Sequence, residues 1–477
     1  SAASDVYKRQ GKTIKITYDG NEKGLSKIYQ SDEIEGQAEL YKEKNRPQFH
    51  FTTRRGWIND PNGLIYYEGE YHLFYQHNPF ERDWENMHWG HAVSKDLIHW
   101  TELPDALYPD HLGTMFSGSA VIDYDNTAGF NKGKTPAMVA AFTAASSDRQ
   151  VQGIAYSLDK GRTFTKYDKN PVINSKEKWN SQDTRDPKVF WYAPSKHWVL
   201  VLNERDGHSI YTSSNLKAWK YESHVTGFWE CPELFELPVD GDKNHTKWVM
   251  YGATGTYMLG SFDGKVFTPE AGKYCYTTGS IYAAQTFTNI PASDGRRIQI
   301  GWGIISHPGM PFNGMMMLPT ELTLRTTKDG IRLVNVPVKE VESLCKPLRS
   351  WKSLSSDEAN RHLKEFYDAD CLRIKTTIKL SHATDAGFNL FGQRMIGYDM
   401  NSNTLNGRFY SPQDPTSMEL SADIYIDRTS IEVFIDGGLY SYSMERRPDT
   451  NNKEGFHFWG NRIEVKDLQV FSVESIW

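Results

Sequence analysis

Cysteine is scarce in this sequence. Four occur in 477 residues, Cys231, Cys275, Cys345 and Cys371, and no two stand as a C-x-x-C pair. That excludes a disulfide framework and a thiolate metal site, and it predicts isolated buried thiols. Long apolar runs are missing too, so no stretch of about 18 apolar residues is available to cross a bilayer as a helix. Basic charge is not in excess: 54 Lys and Arg stand against 60 Asp and Glu, a net charge of −6. No basic stripe is left to neutralise phosphates, which argues against a nucleic-acid partner. Neither a Gly-rich phosphate loop nor a run of metal ligands is present, so no cofactor and no metal are expected. Ser1–Gln10 has no initiator Met and no apolar stretch of the signal-peptide kind, so no targeting signal is visible.

Aromatic residues are what the chain has in abundance, 13% of it, including 14 Trp and 26 Tyr. Such a content suits β-structure, and flat rings suit sugar binding as well. Hydrophobic residues make up 38%, enough to bury a large core and to exclude disorder along the whole chain.

Residues 1–46 are polar and charged, with one alternating strand at Thr13–Tyr18, and read as a lead-in segment or the remnant of a preceding module. From 47 to 337 short β-like runs dominate. Leu64–Tyr67 and Tyr71–Tyr75 flank Glu68-Gly69-Glu70 as a hairpin. A weak repeat recurs at Ser94, Ser157, Ser213 and Ser261: strand, small polar residue, turn with Asp or Asn, then an aromatic on the returning strand. One such hairpin per roughly 50–60 residues fits four-stranded propeller blades. Beyond Pro337 the texture changes. Lys339–His362 reads as mixed loop and helix, and Ser402–Ser417 as loop. Longer alternating runs (Leu372–Leu380, Ser430–Ile435, Arg462–Val473) predict a β-sandwich over 345–477.

Three acids stand in unusual settings. Asp60 lies in Trp57-Ile58-Asn59-Asp60-Pro61-Asn62-Gly63, Asp186 in Arg185-Asp186-Pro187-Lys188, and Glu230 in Trp229-Glu230-Cys231-Pro232. Each has an ordinary alternative: Asp-Pro-Asn-Gly suits a type I turn, and Asp186 can pair with Arg185 or Lys188. Glu230, between Trp and Cys, is the hardest to set aside, and an apolar setting favours a protonated carboxyl able to act as an acid. Each acid falls in a different repeat unit, so a propeller can bring all three to one cavity. Cleaving a glycosidic bond needs such a set.

The runs around these acids, with Phe74-Tyr75-Gln76-His77-Asn78-Pro79, Trp89-Gly90-His91-Ala92 and Phe116-Ser117-Gly118-Ser119, are ordered as in glycoside hydrolase family 32, the β-fructofuranosidases, which the chain resembles from about residue 47 to its end. Gly301-Trp302, Leu318–Leu322 and Asp427–Phe434 resemble later family motifs. The resemblance implies an all-β protein, a five-bladed β-propeller followed by a β-sandwich. It implies a retaining mechanism with Asp60 as nucleophile, Glu230 as acid/base and Asp186 as transition-state stabiliser, for which the two catalytic carboxyls stand about 5–5.5 Å apart. Asn59, Gln76, Trp84, Ser117 and Arg185 match sugar-contacting positions, with Phe116 and Trp302 as aromatic walls. One departure is notable: Tyr276–Ala283 carries no acid where many members have one before the Tyr-Ala pair, which predicts a weakened contact near the second sugar. The expectation is an extracytoplasmic enzyme releasing fructose from levan or inulin. The alternatives are a sucrose-hydrolysing invertase or a fructosyltransferase, and, from another class, a fructan-binding protein without turnover. The partner expected is a fructan or fructo-oligosaccharide.

Overall fold

Strands account for most of the described residues, as the scarcity of helical periodicity requires. The computed structural model describes residues 36–175, 179, 183–380, 385–410, 412–413, 418–446, 455–460 and 462–477. The strand expected at Thr13–Tyr18 lies outside them.

Five antiparallel units follow one another from Gly56 to Pro337, the blades of a β-propeller. Their first strands are Gly56–Tyr67, Thr114–Asp123, Thr184–Tyr192, Glu233–Val239 and Ile281–Thr286. These five meet at the centre, and each unit then meanders outward. The fourth and fifth units are joined at Val239–Leu324. Gln285 ties the ring across the centre, accepting from the Leu64 N–H at 2.9 Å and donating to the Gly118 carbonyl at 2.9 Å.

The weak sequence repeat has a structural cause. Its four copies are the turns from third to fourth strand in the first four units. In three of them the serine hydroxyl donates to the Asp or Asn two residues on, at 3.0, 2.7 and 3.2 Å, closing the turn. The predicted hairpin at Glu68-Gly69-Glu70 is present, with Glu68 and Gly69 both left-handed, the conformation of a tight two-residue connection.

After Pro337 the chain supplies six strands of a seven-stranded sheet and all of a five-stranded sheet, a β-sandwich. Ile374, Phe388, Ile424, Val433, Phe458 and Leu468 fill the space between the sheets. Two local expectations fail. Lys339–His362 contains an eleven-residue edge strand, Cys345–Ser355, whose polar, exposed sequence hid it, followed by a helix at Ser356–Leu363 with a Ser355/Glu358 capping box. The stretch expected as loop carries two short paired strands, Thr404–Leu405 and Arg408–Phe409; residues 411 and 414–417 lie outside the described set.

Propeller and sandwich share a core. Tyr425, Phe434 and Val473 pack with Phe49, Ile58, Leu64 and Tyr75. Buried His50 bridges Asp427 at 2.8 Å and Glu432 at 2.7 Å, and Asp427 also accepts from the Gln48 and Phe49 N–H groups at 2.7 and 3.0 Å. Thr277–Gly279 adds a parallel strand beside Ser441–Ser443.

Candidate active site

Asp60 does not sit in a free turn. Asp-Pro-Asn-Gly lies inside the first strand, where the pairing register slips between Ile58 and Pro61 and again between Asn62 and Ile65. A bulge of this kind re-aims a side chain out of the pleat. Asp186 lies at a similar slip in the third unit's first strand, and Glu230 lies in the loop entering the fourth, three residues before its first strand. Asp186 (φ 67°), Glu230 (φ 50°) and Cys231 (φ 42°) are all left-handed, a conformation costly for side-chain-bearing residues and concentrated at functional sites.

The three acids converge at the head of the central strands. Asp60 Oδ2 accepts from the Ser117 hydroxyl at 2.6 Å, and Oδ1 from Asn59 Nδ2 at 3.2 Å. Asp186 Oδ2 accepts from the Cys231 N–H at 2.9 Å. The Cys231 thiol stands 3.6 Å from both Asp60 Oδ2 and Asp186 Oδ2, bridging them. Glu230 is held by Arg185, with Nη2 2.6 Å and Nε 3.2 Å from Oε1, and by the Tyr282 hydroxyl at 2.5 Å from Oε2. Its setting therefore differs from the apolar one predicted. Trp229 points outward, and the carboxylate is 23% exposed between two polar donors.

Burial raises Asp60 above the usual carboxylate range, against the hydrogen bonds from Ser117 and Asn59. Burial also pushes Asp186 up to about 7, with Arg185 opposing and the Asp60 charge adding. Two buried carboxylates, each disfavouring charge on the other, create strong local demand for a positive partner. That is the electrostatic condition for stabilising a cationic transition state. Asp60, Asp186 and Cys231 also offer ligand atoms within 4.8 Å of one another, a spacing a metal could use. Burial pushes the Cys231 thiol well above its ordinary value, so it serves as a donor to the carboxylates rather than a thiolate ligand.

The remaining expected residues divide into two groups. Asn59, Ser117 and Arg185 touch the acids directly. Gln76 does not: with the Asn62 amide oriented to satisfy its neighbours, Asn62 accepts from Gln76 Nε2 at 2.9 Å and donates to the Ser117 hydroxyl at 3.2 Å, so Gln76 joins Asp60 through two intermediates. Trp302 lies edge-on to Trp57, whose indole N–H donates to Asn59 at 2.8 Å. Trp84, 51% exposed, packs against Phe116 as a wall open to solvent. Tyr282 and Cys231 were not singled out from the sequence as site residues, although both lie in the runs quoted above. Sequence also missed Asn203 and Thr143, which accept from the N–H groups of Glu230 and Asp186 at 2.9 and 3.0 Å and hold the two left-handed backbones; no motif marks either. In the segment lacking the expected acid, Thr277–Gly279 pairs with the sandwich, and Tyr282 three residues on reaches Glu230.

The same architecture is found in known proteins. Residues 50–337 match the glycosyl hydrolases family 32 N-terminal domain, and residues 340–472 match the family's C-terminal domain. A levanase of Bacillus subtilis is 40% identical over 92% of this chain and 72% of its own length. An extracellular exo-inulinase of Aspergillus niger is 36% identical over 92% of this chain and 96% of its own. The crystal structure of an exo-inulinase from Aspergillus awamori superposes with a TM-score of 0.79 at 29% identity, covering 92% of this chain and all of that one. A fructofuranosidase from Schwanniomyces occidentalis complexed with fructosylnystose superposes with a TM-score of 0.77 at 26% identity, covering 91% and 98%. Both domain matches run in order across the blades that bear the acids and the sandwich behind them, and the chain belongs to glycoside hydrolase family 32.

Proposed function

We propose that the protein is a β-fructofuranosidase that hydrolyses fructans with retention of configuration, Asp60, Glu230 and Asp186 being the groups that act. The observation that carries this reading is the convergence of carboxyl groups from three blades, Asp60 and Asp186 bridged by the Cys231 thiol and Glu230 beside them on Arg185 and Tyr282. Asp60, fixed by Ser117 and Asn59, attacks the anomeric carbon of a terminal fructosyl unit. Glu230 gives its proton to the departing oxygen and then takes one from the water that releases fructose. Asp186 accepts hydrogen bonds from the fructose hydroxyls and offsets the positive charge of the oxocarbenium-like transition state.

Support for a fructan rather than sucrose comes from the relatives, a levanase and exo-inulinases, and from exposed rings beside the acids, Trp84 on Phe116 and Trp229 next to Glu230. Action outside the cytoplasm fits a relative named as extracellular. Among the described residues no helix is long and apolar enough to cross a membrane.

Asp60→Ala is expected to lower turnover by roughly three orders of magnitude or more with the fold intact. Glu230→Ala is expected to lose about 10²–10⁴-fold on fructan, and far less on a fructoside with a good leaving group, which departs without protonation. Near-normal hydrolysis by Asp60→Ala would overturn the assignment. Product chromatography with levan, inulin and sucrose offered separately tests the substrate.

A further inference from the structure

Directly below the acids lies an ion pair that the chemistry proposed above does not use. Lys188 and Glu233 are both buried at the centre of the propeller, with Nζ 2.8 Å from Oε1. Lys188 also donates to the Thr286 carbonyl at 2.7 Å. Glu233 accepts from the Thr286 N–H at 3.1 Å and from its hydroxyl at 2.6 Å. The three residues belong to the first strands of the third, fourth and fifth blades, so the cluster stitches those strands together.

Its position along each strand is what matters. Lys188 follows Asp186 by two residues, Glu233 follows Glu230 by three, and Thr286 follows Tyr282, the donor to Glu230, by four. Between the cluster and the acids the backbone is left-handed at Asp186, Glu230, Cys231 and Ala283. Such conformations persist only where the surroundings over-determine them. A buried ion pair is a poor way to gain stability alone, because apolar residues of similar size often do as well or better; what it adds is directional, hydrogen-bonded registry. The other side of the ring is fastened differently. Ser119, two residues after Ser117, donates to the Pro187 carbonyl at 2.7 Å and accepts from the Val189 N–H at 2.9 Å.

We infer that Lys188, Glu233 and Thr286 form a positioning clamp that sets the separation at which Asp186 and Glu230, the latter held by Tyr282, meet the sugar. The inference rests on the roles given to those residues above. None of the three clamp residues touches substrate; they act through the strands.

The test uses the full-length enzyme and three variants. Lys188→Met leaves a buried carboxylate unpaired and is expected to unfold at lower temperature than wild type. Lys188→Met combined with Glu233→Gln removes both charges while the new amide oxygen still accepts from Thr286, so the melting temperature is expected to recover in part, short of wild type because the nearby Arg297 loses the Glu233 charge. The clamp's registry does not return with it: kcat on fructo-oligosaccharide is expected to stay at least about tenfold down while KM changes by less than about threefold. A folded double variant with kcat within about twofold of wild type overturns the inference, since the pair would then serve stability alone. Thr286→Val, which removes the hydroxyl's bonds to Glu233 and Lys188, covers the case of a double variant that does not fold: a kcat loss of about threefold or more at unchanged KM supports the clamp, and unchanged kcat overturns it. Asp60→Ala measured alongside separates the two levels, because near-normal activity there defeats the catalytic roles whatever the clamp variants do.

Discussion

Asp186 shows what a buried carboxyl costs the fold. Burial holds it at about 7 in the folded protein against an ordinary 3.8. Between those values the folded state binds more protons than the unfolded one, so stability falls as pH rises through that window. Asp186→Asn removes the penalty and is expected to raise the melting temperature by a few degrees at about pH 8, with the gain shrinking towards about pH 3, where the wild-type carboxyl is protonated in the folded state and largely so in the unfolded one. Activity moves the opposite way, lost in the variant and, in wild type, falling as acid protonates Asp186. A variant no more stable than wild type at alkaline pH would contradict this account of the site. The open rings make a second prediction at this scale. Trp84→Ala and Trp229→Ala remove stacking surface beside the acids and are expected to lower kcat/KM on levan or inulin by about tenfold, and on sucrose by clearly less. Side-by-side efficiencies check this, and an equal loss on all three substrates counts against polymer contacts at those rings.

Among the elements, the short strand Thr277–Gly279 carries more than its length suggests. It pairs with Ser441–Ser443 and leads within three residues to Tyr282, the donor to Glu230. Gly279 is left-handed (φ 92°), and a Cβ there would meet the Ser443 carbonyl oxygen at 1.9 Å. Gly279→Ala is therefore expected to cost at least about 1–3 kcal/mol and to lower kcat by shifting Tyr282. Denaturant titration and kinetics on the purified variant measure both effects; a variant with unchanged stability and kcat would show that the strand bears no load. The expectation of a weakened contact near the second sugar concerns this same segment, which joins the sandwich at one end and Glu230 at the other. The relatives and the exposed rings support a preference for fructan independently of it.

For the molecule as a whole, the joint between domains is a core and not a linker. His50 stands at its centre: burial alone would lower its pKa, but the bonds to Asp427 and Glu432 win and hold it at about 9, above the ordinary 6.5. Its contribution to stability is therefore fully present below about 6.5 and is lost as pH rises through about 9. Limited proteolysis of the intact protein at neutral pH is expected not to release a fragment beginning near Cys345, whereas His50→Gln is expected to release one, as is wild type at strongly alkaline pH. Rapid release from wild type at neutral pH would show the joint to be weak. This bridge also explains the motif Asp427–Phe434 physically: its Asp427 and Glu432 are the residues that dock the sandwich on the propeller.

The sequence by itself determined the class of the fold and singled out the three acids. The Ser-x-Asp turns repeat because each blade closes the same local hairpin, and local chemistry is readable in local residues. The motifs around Asp60, Asp186 and Glu230 are contiguous runs, so they too were legible. Only the tertiary structure decided where those runs meet. Asp-Pro-Asn-Gly suits a turn as well as a bulged strand, and the choice between them is made by pairing with the adjacent strand, Glu70–Asn78. The environment of Glu230 was misread for the same reason, since its chain neighbours Trp229 and Cys231 point elsewhere while Arg185 and Tyr282 come to it from other blades. Residues such as Asn203, Thr143, Lys188 and Glu233 act between strands far apart in the chain, and nothing in a run of neighbouring residues records a hydrogen bond of that reach.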